Sequence, residues 1–448
     1  MKKIETQVFW SEAKLDLHAP IQDQTKSEEW FKRSKKRIPG CAQTFSKSHS
    51  QFVQGVSPIF LQKGAGAHVW DVDGNMYIDY VQGLLPNILG YAHPKVNQAV
   101  IEQIQEGYSF SQPHPKEVLL SEKLCEIIPC AEMVRFGKNG SDATAAAVRC
   151  ARAFTKKDRV ACCGYHGWQD WFIGSTNRNE GVPQAVRNLT HPFQYNNIDS
   201  LEKLLNQYRG EFSAIIMEPV NFEEPKEQFL EKVRELATQN SIVLIYDEIC
   251  TGFRFGLGGA QKRYNVIPDL AAFGKAMGNG YPISAVCGKA EIMKKFEDIF
   301  FSGTFGGDVA SITACLKVIE ILETTDALES IQYWGKGLKE GFQSLVKMAG
   351  LENFLSICGD PAWSLIKYTD RQGKSSMLTR TLFQQEAVIR GLLITVSHNM
   401  TSTHRETEIT TTLQKYAEIF KVLGHYVNDS NPEKYLKGNV IEPIFRIR

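Results

Sequence analysis

Between His68 and Tyr80 the chain alternates apolar and polar side chains about Asp73-Gly74 (HVWDVDGNMYIDY). That alternation predicts two half-buried strands joined by a two-residue turn. From about residue 110 to 320 short continuous apolar runs alternate with helical periodicity. Arg159–Cys163, Ala214–Met217 and Ile242–Tyr246 read as buried strands, and Ser141–Phe154 as an alanine-rich helix. Such alternation predicts an α/β fold, a parallel or mixed sheet covered by helices on both faces, with ligands beyond the carboxyl ends of the strands. The stretch from 325 to 448 mixes helices with shorter strands, as a smaller α+β domain does. The chain therefore divides into an N-terminal segment, 1–110, lying partly in the small domain, a large domain, 111–324, and a C-terminal small domain, 325–448.

A hydrophobic content of 43% and a charged content of 23% are those of a soluble globular protein. The net charge of +1 gives no global attraction to nucleic acid or an acidic membrane. No run approaches the roughly 18 apolar residues of a membrane span. The start, Met-Lys-Lys-Ile-Glu-Thr-Gln, lacks the apolar core of a signal peptide. The ten cysteines show neither metal-site nor disulfide-framework spacing, so reduced thiols, no metal and a cytoplasmic location are expected. The basic run Lys32-Arg33-Ser-Lys35-Lys36-Arg37 reads as the solvated face of a helix or as a contact for an anionic substrate group.

Lys275 is the only charged residue between Leu270 and Val286. An unpaired buried ammonium is costly. Such a lysine either snorkels to water or joins an aldehyde cofactor such as pyridoxal phosphate (PLP) as an imine. Gly274, Gly278 and Gly280 would let a bulky ring approach. Gly137-Lys-Asn-Gly140-Ser141-Asp142 runs into the alanine-rich helix. Its free N–H groups suit a phosphate, unless Ser141 or Asp142 serves only as a cap. Asp247 closes a buried strand, where it either caps the next turn or meets a cation such as a protonated pyridine nitrogen, with Ile249 against the ring. Tyr165 follows another strand and either stacks on a flat cofactor or packs in the core. Glu218 ends a third strand, and Thr304 lies in the glycine-rich loop Gly303–Gly307.

Taken in order, DVDG (71–74), NGSDA (139–143), YHG (165–167), EPV (218–220), DEICTGFR (247–254), FGKAMGNGYPISA (273–285) and GTFGG (303–307) resemble the class III PLP-dependent aminotransferases of fold type I. Within that class the likeness is to glutamate-1-semialdehyde 2,1-aminomutase and its relatives, from about Ile38 to Ile409. The resemblance implies PLP bound as a Schiff base on Lys275, with Asp247 at the pyridine nitrogen and Tyr165 on the ring. Gly140, Ser141 and the Asp142 backbone would hold the phosphate, with Glu218 and Ile249 also at the cofactor. It further implies that Thr304 reaches the phosphate of a neighbouring subunit, so that a homodimer shares its active sites.

The departures concern substrate. The aminomutases hold the substrate carboxylate with an arginine where this chain has Lys47, which keeps the charge but loses the bidentate fork. They also carry a glutamate in a region where this chain, between Gly391 and His404, has no acid and offers His398, Asn399 and Thr401. Trp168 and Trp171 follow YHG and form either packing or a pocket wall over a sugar face. With His166, which has no metal-like companion and reads as structural or substrate-facing, these residues give the tentative substrate set Lys47, His166, Trp168 and His398. The expected activity is transfer of an amino group between a small-molecule donor and a carbonyl acceptor that is carbohydrate-derived or phosphorylated. The alternatives are an aminomutase, another PLP reaction such as racemisation or decarboxylation, and a catalytically silent regulator or scaffold.

Overall fold

The computed structural model describes residues 5–221, 223–226 and 228–442. It divides into two compact units. The larger contains 85–88 and 94–328. It starts earlier than the apolar runs suggested, because the helix Pro94–Glu106 packs on the helix Val309–Thr324.

A seven-stranded sheet forms the centre of this unit. Its order is Met133–Gly137, Ser284–Gly288, Leu270–Phe273, Val243–Asp247, Phe212–Met217, Arg159–Cys163 and Thr190–Pro192. Every neighbouring pair is parallel except the two made by Ser284–Gly288, which runs against both its neighbours. Val243–Asp247 and Phe212–Met217 are buried along their whole length, as strands covered on both faces must be. The helix Gly140–Thr155 presents Ala143, Ala146, Ala147 and Ala151 to this sheet, in one cluster with Ile216, Ile245, Ala272 and Val286. Small side chains on both surfaces let the helix approach closely, which fixes the position of its first turn.

The consequence for function is directional. Gly137, Cys163, Met217, Asp247 and Phe273 all end strands that run the same way. The turns after them carry Gly140–Asp142, Tyr165–Gly167, Glu218, Ile249–Cys250 and Lys275. The carboxyl edge of the sheet thus gathers chemistry spread over some 135 positions of sequence.

The smaller unit contains residues up to 84, then 89–93, and the chain from 329. Leu61–Ala65, His68–Asp71 and Met76–Asp79 form an antiparallel meander, to which Leu392–Leu393 adds in parallel. The N-terminal segment is therefore stitched to the C-terminal one by a sheet. The hairpin about Asp73-Gly74 has a three-residue loop rather than a two-residue turn. Asp71 and Asn75 still pair by a backbone bond of 3.1 Å, and the Asp71 carboxylate accepts the N–H groups of Asp73 and Asn75. Gly74 closes the loop at φ +97°, the left-handed conformation such loops require. A second sheet, Leu355–Asp360, Trp363–Tyr368 and Ser397–Asn399, is antiparallel throughout. No helix among the described residues is long and apolar enough to cross a membrane.

Candidate active site

Asp247 is buried at the end of its strand, with both carboxylate oxygens engaged. Oδ1 accepts the Ile249 N–H at 3.1 Å, and Oδ2 accepts Nδ1–H of the buried His166 at 2.8 Å. His166 is held in turn. Thr144 Oγ1 donates to its carbonyl at 2.8 Å, Trp171 stacks at 6.1 Å and Phe172 meets it edge-on at 5.2 Å. The imidazole therefore faces Asp247 from behind and orients it. Of the two expected roles this is the structural one, and YHG in sequence carries no sign of which carboxylate its histidine will meet.

Lys275 sits at φ +43°, a left-handed conformation that costs a residue other than glycine about 1–2 kcal/mol. Its side chain is partly buried, and Nζ donates to Sγ of Cys250 at 2.8 Å. Loss of solvent lowers its proton affinity. The Cys250 sulfur and its hydrogen bond, then the charges of Glu218 and Asp247, more than offset that and leave the net shift upward. Glu218 accepts the Tyr165 N–H at 3.3 Å and Asn221 Nδ2 at 3.2 Å. Enclosure, then the Asp247 charge, pushes its carboxyl up to about 7. A group poised there exchanges protons readily at neutral pH.

Gly140 opens its helix against Ile249, and a Cβ at Gly140 would lie 3.0 Å from Ile249 Cδ1. A Cβ at Gly274 would lie 3.2 Å from the same atom. Ile249 thus borders both the helix start and the residue before Lys275. The first N–H groups of the helix lack intrahelical acceptors, which leaves Gly140 and Ser141 able to bind an anion. Asp142 is used differently. Its N–H bonds the Asn139 carbonyl at 3.0 Å and its carboxylate accepts Lys138 and Asn139 N–H, so it shapes the turn instead of offering its backbone to a phosphate.

Gly167, at φ +105°, lies so near Ser141 that an added Cβ would come within 2.5 Å of the serine Cβ. Gly167→Ala should therefore strain the turn by about 1–3 kcal/mol and displace Ser141. Losing one charge-assisted bond to phosphate, roughly 1.5–3 kcal/mol, predicts PLP affinity weaker by about tenfold or more. Titrating cofactor-free protein with PLP measures this; unchanged affinity would remove Ser141 from the phosphate site.

Tyr165 is 47% exposed, with its ring edge-on to Phe172 at 5.6 Å. Trp168 is 65% exposed, whereas Trp171 is buried behind His166, so the two tryptophans do not form a wall together. Thr304 is exposed on its loop and lines a cavity of about 360 Å³ with Gly137, Asp142 and Arg149. Lys47 and His398 belong to the smaller unit. Lys47 is exposed after a short turn, Phe45–Lys47. His398 is fully buried. Its Nδ1 contacts Ser364 Oγ at 3.0 Å, its Nε2 contacts Tyr416 OH at 2.7 Å, and burial holds the ring neutral with its pKa near 3. His398 is therefore a core residue, and the expected substrate role falls. Asn399 and Thr401 are buried in the same way, with Asn399 Nδ2 on the Val81 carbonyl at 2.8 Å. Sequence reasoning also missed Cys250. It stood inside DEICTGFR, but nothing in that string reveals that Lys275 would reach it. Among the described residues no cluster of His, Cys, Asp or Glu is placed to hold a metal ion.

Known proteins resemble this chain over most of its length. The 3-aminobutyryl-CoA aminotransferase of Cloacimonas acidaminovorans is 36% identical over 391 residues, covering 86% of this chain and 93% of that protein. The glutamate-1-semialdehyde 2,1-aminomutase of Prosthecochloris aestuarii is 37% identical over 348 residues, covering 73% and 80%. The FumI protein of Sphingopyxis sp. MTA144, solved in its PLP internal aldimine form, superposes with a TM-score of 0.85 at 25% identity, covering 92% of this chain and all of that one. The sequence profile of the class-III aminotransferases matches residues 51–419, so the chain belongs to that family of PLP-dependent enzymes.

Proposed function

We propose that the protein is an intermolecular aminotransferase that moves an amino group from a small-molecule donor to a carbonyl acceptor, with Lys275 and Asp247 as its catalytic residues. The observation that carries this is the meeting of the Lys275 amine, Glu218 and Asp247 at one edge of the sheet, close enough for their charges to act on one another.

The residues fit PLP. The start of the helix Gly140–Thr155 offers free donors for a phosphate, Gly140 and Gly274 let Ile249 pack close to the helix start and to Lys275, and Lys275 supplies the amine an aldehyde needs. When bound, PLP supplies an electron sink for the carbon that loses its proton. Asp247, oriented by His166, would keep the ring nitrogen protonated, and Tyr165 would cover one ring face. Lys275 Nζ, as the free amine, would take a proton from the substrate carbon and return it, across the nitrogen they share, to the cofactor carbon. Glu218 holds or releases a proton beside it. Thr304 would reach the phosphate of a second copy, making a homodimer with shared sites. The large exposed side chains next to it, Phe300 at 80% and Phe305 at 59%, suit burial in such an interface.

For the acceptor, a phosphorylated or carbohydrate-derived carbonyl compound is supported by three features. Lys47 is a point charge rather than a fork, as phosphate accepts. In the same unit Lys32, Lys35 and His49, with Glu28 as the acid among them, line a cavity of about 240 Å³. One relative is named for 3-aminobutyryl-CoA, and coenzyme A thioesters are themselves phosphorylated. Trp168 is available to face a sugar ring. The aminomutase reading is retained because of the relatives with that activity.

A half-reaction separates the two. Given an amino donor alone, the aminotransferase converts its bound cofactor to the pyridoxamine form and releases one keto or aldehyde product per site, seen by absorbance and mass spectrometry. A product that is only an isomer of the added amine would replace this reading with the mutase.

A further inference from the structure

Cys250 is the one side chain that hydrogen-bonds the Lys275 amine among the described residues, at 2.8 Å. The acids around it are committed elsewhere. Asp247 accepts from His166 and Ile249, and Glu218 from Tyr165 and Asn221. Both ends of the contact are fixed by backbone. Lys275 opens a short 3-10 turn, Lys275–Gly278, at its left-handed φ. Cys250 lies in a turn closed by the Gly252 N–H on the Glu248 carbonyl at 2.7 Å. The Glu248 side chain anchors that turn from inside, accepting Ala260 and Gln261 N–H at 2.8 and 2.9 Å and the Thr251 hydroxyl.

A long amine with four rotatable bonds needs such an anchor to stay near a reacting centre. The chemistry of the anchor also matters. A carboxylate at this distance would form an ion pair and would hold the lysine as ammonium. A thiol is a weak acceptor and lets the amine go.

We propose that Cys250 is the positioning residue of Lys275: its sulfur holds the amine toward the cofactor site whenever the amine is not covalently engaged, without trapping it as an ion pair. This rests on the reading of Lys275 as the PLP lysine. The other ionisable groups facing Lys275 are Glu218, Asp247 and Tyr165, with His166 behind Asp247.

Capture of PLP by cofactor-free protein tests the idea without turnover. The rate at which bound-cofactor absorbance appears is followed as pH is raised, in wild type, Cys250→Ala and Cys250→Ser. The alanine variant should capture PLP about tenfold more slowly at high pH, where the amine is neutral and only its orientation differs. Its pH midpoint should fall, because the Cys250 sulfur raises the proton affinity of Lys275. Serine, an acceptor of similar size, should restore most of both. An alanine variant that matches wild type in rate and midpoint, or a serine variant no better than alanine, overturns the proposal. Wild type that never captures PLP would instead sink the reading on which it rests. Should the variants fail to fold, iodoacetamide labelling of wild type decides. Cys250, located by peptide mass, should be alkylated without PLP and protected with it; labelling indifferent to PLP counts against the proposal.

Discussion

Lys275→Ala is expected to yield a folded protein that binds PLP without a covalent bond and has lost essentially all turnover. The two losses have separate causes. Without the amine no imine can form, so the absorbance of the lysine-bound cofactor should be absent even at saturating PLP. Without the same amine no side chain is placed to carry the proton between the substrate carbon and the cofactor carbon, a role that contributes on the order of 10²–10⁴-fold by itself. Glu218, whose carboxyl burial pushes up to about 7, is tied to Tyr165 and Asn221. It should not substitute. The fold should survive, because alanine carries the same left-handed strain at this position as lysine, and Nζ bonds only Cys250 among the described residues. Thermal melting close to wild type, absorbance without the lysine-bound band, and product formation reduced by at least the factor above are the three readouts. Turnover within tenfold of wild type would remove Lys275 from the chemistry.

Much of this site was legible because each motif comes directly after a buried strand. Continuous apolar runs such as Val-Leu-Ile-Tyr before Asp247 and Ala-Ile-Ile-Met before Glu218 mark parallel strands, and parallel strands deliver their C-terminal turns to one edge of the sheet. Ser141–Phe154 matches the observed helix Gly140–Thr155 to within a residue at each end, because an alanine face against a sheet leaves one periodicity to read. What sequence did not reveal is which side chains meet across that edge. His166 turns to Asp247 because Gly164 and Gly167, both at positive φ, fold the segment back against Ser141. Cys250 meets Lys275 because two turns converge. His398 illustrates the opposite error. Its place in an acid-free stretch suggested recognition, yet burial and the Ser364 and Tyr416 contacts make it a packing residue. A polar residue read from a string cannot be assigned to core or cleft without the neighbours that satisfy it.

Asp247→Asn isolates charge from shape. Asparagine is nearly isosteric; its Oδ1 can accept the Ile249 N–H while its Nδ2 donates to Nδ1 of His166 in the Nε2–H tautomer, so the turn and the imidazole should keep their places. What is lost is the negative charge opposite the ring nitrogen of PLP. A charge-assisted hydrogen bond is worth roughly 1.5–3 kcal/mol, so cofactor affinity should fall by about 10–100-fold. The reaction suffers more, because a preorganised charge in a water-poor site counts most where electron density accumulates; removing one such group typically costs about 10²–10³ in kcat. His166→Phe should do less. It leaves the carboxylate ionised and removes only its orientation, so its effect should fall on the same two quantities in the same order at reduced size. Measuring kcat at saturating PLP separates chemistry from cofactor loss. If Asp247→Asn at saturating PLP keeps the wild-type kcat, the carboxylate is a cap of the turn at Ile249 and not a partner of the cofactor. If His166→Phe proves the more damaging of the two, the imidazole acts on substrate directly and the order of contacts drawn from the 2.8 Å bond must be reversed.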